Sequence, residues 1–188
     1  SDVLKNLCET HGVEYVIAVP HNIVGPRQKY DDPFRNVMSI MLNRMLQGKQ
    51  PIIYGDGEQQ RCFSYIDDCL YCLNALAFQD NVVGEVINIG PDEEPITINE
   101  LAEACANETG LNLDPIHHKD RPKEVKLAVC SSDKARDLLG YSTATNMRQS
   151  VKKTAEYIRT RGTKKFQYHL PLEIINDQTP DTWKNKLI

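Results

Sequence analysis

No stretch of this 188-residue chain approaches the roughly 18 consecutive apolar residues that a membrane-crossing helix needs. The opening Ser1-Asp2-Val3-Leu4-Lys5-Asn6 lacks both an initiator Met and the pattern of a signal peptide, and reads as a helix entered midway. On that reading the chain is a piece of something longer. Positive charge is also short: 22 Lys and Arg face 26 Asp and Glu, for a net charge of −4. A basic field that would favour nucleic acid or a membrane surface is therefore not expected. Cys69 and Cys72 form a C-x-x-C, yet no second pair and no histidines at ligand spacing follow, so no metal site is expected. That pair lies in an apolar helical run, Ile66 to Phe78, where thiols behave as small hydrophobes. With Cys8, Cys62, Cys105 and Cys130 also scattered, a reducing, cytoplasmic compartment is the expectation. Internal repeats and low-complexity tracts are missing too.

What is present suits a packed core. Apolar residues make up 40% of the chain and charged residues 26%, which fits one large domain or a domain plus a tail. Residues 2–11 read as a helix closed by Gly12. Val13 to Val19 is a β-branched run suited to a buried parallel strand, stopped by Pro20. A loop rich in Pro, Gly and Asp follows, to residue 33. Phe34, Val37, Met38, Met41, Leu42, Met45 and Leu46 recur at helical spacing, and core packing is the better reading of the methionines. Pro51 to Tyr54 and Gln60 to Ile66 read as extended segments around a Gly55-Asp56-Gly57 turn. Asp67 or Asp68 is the expected cap of the next helix, to Phe78. Glu85 to Ile89 reads as a strand, and Thr97-Ile98-Asn99-Glu100 as a capping box opening a helix that ends at Gly110.

Leu113 to His117 reads as a further strand, and Ser132 or Asp133 caps a short helix ending at Gly140. Met147, Val151, Thr154, Ala155 and Ile158 mark one more helix. The basic residues Arg148, Lys152, Lys153, Arg159, Arg161, Lys164 and Lys165 fall in one stretch and read as a solvated helix face whose last turn complements the helix dipole. After Gly162 comes a tail, in which Thr179-Pro180 reads as an N-cap followed by Pro at the first helical position. Alternating strands and helices imply an α/β fold.

Three stretches place charge and bare backbone in loops. Pro20-His21-Asn22-Ile23-Val24-Gly25-Pro26-Arg27-Gln28 follows a strand, and Asn22 offers a donor and an acceptor there. In Gly55-Asp56-Gly57-Glu58-Gln59-Gln60-Arg61, a lone arginine enters an apolar strand. Its planar fork suits a carboxylate or a phosphate. Arg121-Pro122-Lys123-Glu124 sets opposite charges three residues apart. Any one of these arginines alone reads as a surface ion pair.

In order and spacing these stretches resemble the extended short-chain dehydrogenases, specifically NAD-dependent nucleotide-sugar epimerases and dehydratases of the UDP-glucose 4-epimerase type. That family carries Asn-Val-Tyr-Gly-Pro-Arg-Gln, then Gly-Asp-Gly-x-Gln-x-Arg-Asp-Phe-x-Tyr-Val-x-Asp, then Arg-Pro-Gly-Glu, then Ser-x-Asp-Lys-Ala-x-x-x-Leu-Gly-Tyr. The last is matched by Ser131 to Tyr141. The resemblance runs from residue 1 to about 161. Val24 replaces the family's tyrosine, and Cys62 the aspartate after the clamp arginine.

The resemblance implies the C-terminal half of such an enzyme, in three parts. Residues 1–33 would end the Rossmann-like domain. Residues 34–162 would form the substrate-binding α/β region, partly returning to the Rossmann-like sheet. Residues 163–188 form a tail matching no family pattern. It also implies roles: Asn22 on the diphosphate or sugar, Arg61 and Arg121 clamping the diphosphate, Glu124 on the ribose, Ile53 and Tyr54 along the base, and Pro20 and His21 at the nicotinamide. The family's Gly-x-x-Gly-x-x-Gly loop is not in this sequence. Its Tyr-x-x-x-Lys pair would fall just before Ser1, so no catalytic residue is expected in this chain. NAD would be bound mainly by an N-terminal half, and the expected partners are a nucleotide sugar, that half or the full-length parent, and a second copy in a homodimer. Epimerisation through transient C4 oxidation is the implied reaction. A 4,6-dehydratase, a decarboxylase and a non-catalytic nucleotide-sugar-binding fragment are the alternatives.

Overall fold

A computed structural model describes residues 2–188. In chain order the elements are α1 (Asp2–His11), β1 (Ile17–Pro20), β2 (Ile23–Val24), α2 (Val37–Met45), β3 (Ile52–Tyr54), β4 (Gln60–Arg61), β5 (Ser64–Tyr65), α3 (Ile66–Phe78), β6 (Val86–Ile89), β7 (Ile96–Thr97), α4 (Ile98–Thr109), β8 (Ile116–His118), β9 (Leu127–Ala128), α5 (Asp133–Leu139), α6 (Met147–Arg161) and α7 (Asp181–Lys184). Strand β1 pairs in parallel with β6, β2 with β5, and β3 with β8. Strand β4 lies between β7, antiparallel, and β9, parallel. The fold is mixed α/β, in short ribbons instead of one long sheet.

Two hydrophobic cores hold these pieces. The first is built where α2, α4 and α6 meet: Met38, Met41 and Leu42 face Leu101, Cys105, Val151 and Ile158, with Ile53 and Phe63 entering from the strands. Burying each such aliphatic side chain contributes about 1.5–3 kcal/mol, so the methionine stripe is a core stripe. The second core lies under the β1–β6 ribbon, where Ile87 and Ile89 meet Cys69, Cys72 and Leu76 of α3 and Ala135 and Leu139 of α5. The chain therefore leaves the first ribbon, builds the helical lobe, and returns twice to the ribbon. Cys69 and Cys72 are fully buried, and burial pushes their thiols up to about 12 and about 11.

Several elements differ from the sequence expectation, each for a local reason. The Val13 to Val19 strand starts only at Ile17, because the Val13 N–H donates back to Cys8 O and closes α1. Nor is β1 buried: Val19 is 41% exposed, since β6 is its single strand neighbour among the described residues. Neither Asp67 nor Asp68 caps α3. Tyr65 takes that position without a side-chain bond, and Asp68 turns inward to accept from the Thr145 N–H at 3.1 Å. Burial raises the Asp68 carboxyl above its ordinary value, against the lowering effect of those backbone donors. The strand expected at Leu113 to His117 is Ile116–His118. Ser132 occupies the α5 N-cap position, yet its hydroxyl donates to Gly90 O instead of capping. Helix α6 opens with a capping box of Asn146 and Gln149, which the apolar spacing alone did not reveal. In the tail the cap position shifts by one, to Pro180, and the helix begins at Asp181.

Several apolar side chains of α1 and α3 stay uncovered. Val3 of α1 is 74% exposed and Phe78 of α3 is 81% exposed, with Leu4, Leu7, Leu70 and Tyr71 also open. Among the described residues no helix is long and apolar enough to cross a membrane.

The loop after β6 is fastened by one arginine. Arg136 on α5 donates to both Asp92 oxygens and to Glu93 Oε1 at 2.6 Å. The Arg136 bond holds the Asp92 carboxyl below its ordinary value of 3.8. A depressed carboxylate stabilises the fold above its unfolded value and loses that contribution as pH falls toward the folded one. Arg136→Met should therefore lower Tm near neutral pH, and the gap from wild type should close as pH drops below 3.8. Thermal unfolding across a pH series checks this; a gap independent of pH would refute the assignment.

Candidate functional site

Two concavities compete for attention. The larger, about 680 Å³, runs between α4 and α6 and is lined by Glu94, Glu100, Glu103 and Glu108 against one Arg148. A wall with four carboxylates repels anions, so it is a poor seat for a phosphorylated ligand. The smaller, about 270 Å³, gathers Asn22, Tyr54, Arg61, Arg121 and Glu124 with the apolar Ile52 and Phe63. Residues 22, 54, 61, 121 and 124, far apart in sequence, thus share one pocket.

Each is placed by a different piece of backbone. Asn22 sits between β1 and β2 at φ +44, a left-handed conformation that asparagine tolerates better than most residues. Its Nδ2 donates to Cys62 O at 2.9 Å, and its backbone carbonyl accepts from the Ser64 N–H at 3.2 Å. Asn22 therefore staples the loop after β1 to the β4–β5 bend, and among the described residues its side-chain oxygen has no hydrogen-bond partner. Gly25 makes that loop possible. At φ +144, a Cβ there would lie 2.6 Å from Ile66 Cγ2.

Arg61 ends β4. Its Nη1 donates to Gln60 O at 2.7 Å and its Nη2 pairs with Glu124. Both side chains are largely covered, at 17% and 21% exposure. Cations and carboxylates in such a place are paired or they bind something. The neighbouring Cys62 is fully buried, and burial pushes its thiol up to about 11, so it adds no charge beside the clamp. Val24, in place of the family's tyrosine, is buried in the first core.

Arg121 lines the same pocket. Its guanidinium carbon lies 4.4 Å from the Tyr54 ring centroid, within reach of a cation–π contact. Its Nε is buried with no partner.

Three residues singled out from the sequence do not line this pocket. Ile53 does not line the pocket; it is 1% exposed in the first core, because alternation along β3 turns Ile52 and Tyr54 to the pocket instead. Pro20 and His21 lie outside this pocket, at the carboxyl end of β1. The His21 backbone is engaged there, its N–H on Ile89 O and its carbonyl accepting from Ser64 Oγ at 2.6 Å. The His21 ring meets Cys130 Sγ at 3.0 Å.

Sequence reasoning missed other wall residues. Arg35 reaches the pocket from the turn before α2, held by Asp32 at 3.0 Å. Thr182 and Ile188 come from the tail. The signal available for the tail was the Thr-Pro-Asp helix start and the only tryptophan, Trp183. Among the described residues no group of His, Cys, Asp and Glu gathers to hold a metal ion.

A mixed α/β lobe that gathers two arginines, a glutamate and an asparagine in one partly apolar pocket has groups that can hold an anion. The chain belongs to the NAD dependent epimerase/dehydratase family, whose pattern matches residues 1–90. It is 32% identical over 160 residues to a putative UDP-glucose 4-epimerase of Methanocaldococcus jannaschii, covering 84% of this chain and 50% of that protein. It is 30% identical over 154 residues to the UDP-N-acetyl-alpha-D-glucosaminuronate decarboxylase of Bacillus cytotoxicus, covering 79% and 47%. Its fold matches the UDP-glucose 4-epimerase of Thermotoga maritima, solved with UDP-glucose, at a TM-score of 0.79 and 28% identity, over 85% of this chain and 50% of that one. The chain spans about half the length of the curated relatives it matches.

The Arg61–Glu124 pair makes a specific prediction. Glu124 neutralises Arg61, so a bare anion must displace a carboxylate to reach it. Glu124→Gln should tighten inorganic pyrophosphate binding by about threefold or more, because the competing charge is gone. Isothermal calorimetry decides it; unchanged or weaker binding would show that Arg61 does not face the anion.

Proposed function

We propose that this chain is the nucleotide-sugar-binding half of an NAD-dependent epimerase that acts by transient oxidation at the sugar C4. The observation that carries this reading is the convergence of Arg61, Arg121, Glu124, Asn22 and Tyr54 on one pocket of about 270 Å³. Two guanidinium groups in one pocket match the two phosphates of a diphosphate. Arg61 is the bidentate partner, once Glu124 turns to the ribose hydroxyls that a carboxylate accepts from. Tyr54 and Ile52 give a flat, partly apolar wall for a base. Asn22, at the mouth next to the ribbon's end, has the uncommitted amide oxygen that a sugar hydroxyl needs.

Residues toward NAD fit in part. Open α/β sheets bind dinucleotides beyond the carboxyl ends of their strands. Exposed Pro20 ends β1 there, and Gly90, at φ +149, ends β6 with its bare Cα against His21 and Ser64. These residues can border the nicotinamide end, while a phosphate cradle is not among them. When bound, the cofactor supplies hydride acceptance and return. What this chain does is hold the diphosphate, orient the sugar toward the ribbon's end, and keep the base against Tyr54. The Tyr–Lys proton pair and the phosphate loop would come from the N-terminal half. The exposed apolar sides of α1 and α3 and the unpaired edge of β1 support that half as the partner.

Thermal stabilisation against UDP-, dTDP-, GDP- and CDP-sugars tests the reading, since a ligand selective for the folded state raises stability with the logarithm of its concentration. One nucleotide should shift Tm, and Arg61→Ala should weaken that binding by about tenfold or more. Mixing the chain with an N-terminal half should then restore turnover that neither shows alone. A folded chain that responds to none of the four would sink the proposal.

A further inference from the structure

The tail after α6 is clasped to the body at both ends. Buried Asn43 donates to Lys164 O at 2.9 Å and accepts from the Lys164 N–H at 3.1 Å. At the far end Arg44 Nη1 donates to Leu187 O at 3.4 Å, and within the tail the Tyr168 hydroxyl accepts from the Ile188 N–H at 3.0 Å. Between these anchors α7 is drawn over the pocket. Thr182 is fully buried, its N–H on the Tyr54 hydroxyl at 3.1 Å and its own hydroxyl bonded to the same oxygen. Trp183 follows, edge-on to Phe34 at 5.3 Å, with its ring centroid 5.6 Å from the Arg121 guanidinium carbon.

Arg121 is thus held by two aromatic rings, Tyr54 from the body and Trp183 from the tail. The Thr182–Tyr54 bonds fix the first ring relative to the second. The chain's buried side-chain donors without a partner among the described residues are Arg121 Nε and Trp183 Nε1. Orphaned buried donors are costly to leave unmade and mark places where an acceptor belongs. Their coincidence on two residues in mutual contact, at the wall of an arginine-lined pocket, points to an anionic group.

We infer that Trp183 is a positioning residue for anion binding: its ring holds the Arg121 guanidinium in place, so that the tail completes the diphosphate site. This rests on the proposed nucleotide-sugar pocket and adds to it a determinant outside the motifs of the sequence. A guanidinium with its rotamer set before the ligand arrives loses less entropy on binding than one free to swing. Tail and pocket are therefore coupled through one side chain.

Trp183 is the only tryptophan, so its emission reports this contact directly. The full chain is titrated with inorganic pyrophosphate, UDP and uridine, following tryptophan emission and, in parallel, calorimetry. Pyrophosphate and UDP should change the emission saturably, uridine should not, and Arg121→Met should both alter the unliganded spectrum and abolish the response. By calorimetry, Trp183→Ala should weaken UDP binding by about fivefold or more, and Trp183→Phe should recover most of it. In an Arg121→Met background, Trp183→Ala should cost no further affinity, which a merely structural role of the tail would not produce. UDP bound as tightly by Trp183→Ala as by wild type, or additive losses in the double variant, would overturn the inference and leave the pocket's function standing. If neither pyrophosphate nor UDP binds wild type by either method, the nucleotide-sugar reading fails, and this inference with it.

Discussion

A guanidinium that is mostly withdrawn from water needs a partner, and the architecture around this pocket follows from that requirement. Arg61 has Glu124, and Arg121 has two aromatic faces. Neither arrangement is what an arginine adopts when stability alone is at stake. A part-buried ion pair gains little over well-packed apolar residues, and the Arg121 Nε is left with no acceptor. Both arrangements make sense as resting partners that a stronger, bidentate anion can displace or join. Glu124 is the charge partner of Arg61. The left-handed Asn22, the bare Gly25 and the Asn22–Cys62 bond keep β4 and its arginine at a fixed distance from the ribbon's end.

Much of this was legible in the sequence, and what was legible shares a physical basis. The Met38, Met41, Met45 spacing gave a core helix because burial follows a 3.6-residue period. The Thr97–Glu100 capping box and Gly110 bounded α4 correctly because caps are local chemistry. The arginines and Glu124 could be placed in one site only through the resemblance. Nothing in periodicity brings residues 61 and 121 together; β3–β8 and β4–β9 pairing does. The misreadings have the opposite character. Asp68 has the chemistry of a cap, yet the loop before α6 offers it the Thr145 N–H, and a tertiary donor wins over the local one. Ile53 was assigned with its strand, while the two-residue alternation of that same strand sends it to the core. Ser132 was drawn away from capping by the carbonyl of Gly90, a residue 42 positions earlier.

The ribbon lobe shows what an incomplete sheet looks like physically. A parallel strand buried on both faces should read as a continuous apolar run, and Val16 to Val19 does. In this chain that run finds only β6, and its C-terminal part lies open. Val3, Leu7, Leu70 and Phe78 form apolar surface of the kind an interface covers. The chain itself spans about half the length of the curated relatives it matches.

The tail is where sequence reasoning ran out and where geometry adds most. No motif covers residues 163–188, and the segment has almost no regular structure beyond α7. Its order comes instead from side-chain-to-backbone bonds with partners far away in sequence: Asn43 to Lys164, Arg44 to Leu187, Tyr54 to Thr182. All three body residues lie on α2 or β3, the two elements that build the floor and edge of the pocket. A segment held at elements of the site and at the loop before α2, and bringing an aromatic ring to one of the pocket's two arginines, is placed to alter that pocket without altering the lobe's core. Related chains with the same clamp arginines and a different tail would then share the diphosphate chemistry and differ in how firmly Arg121 is held.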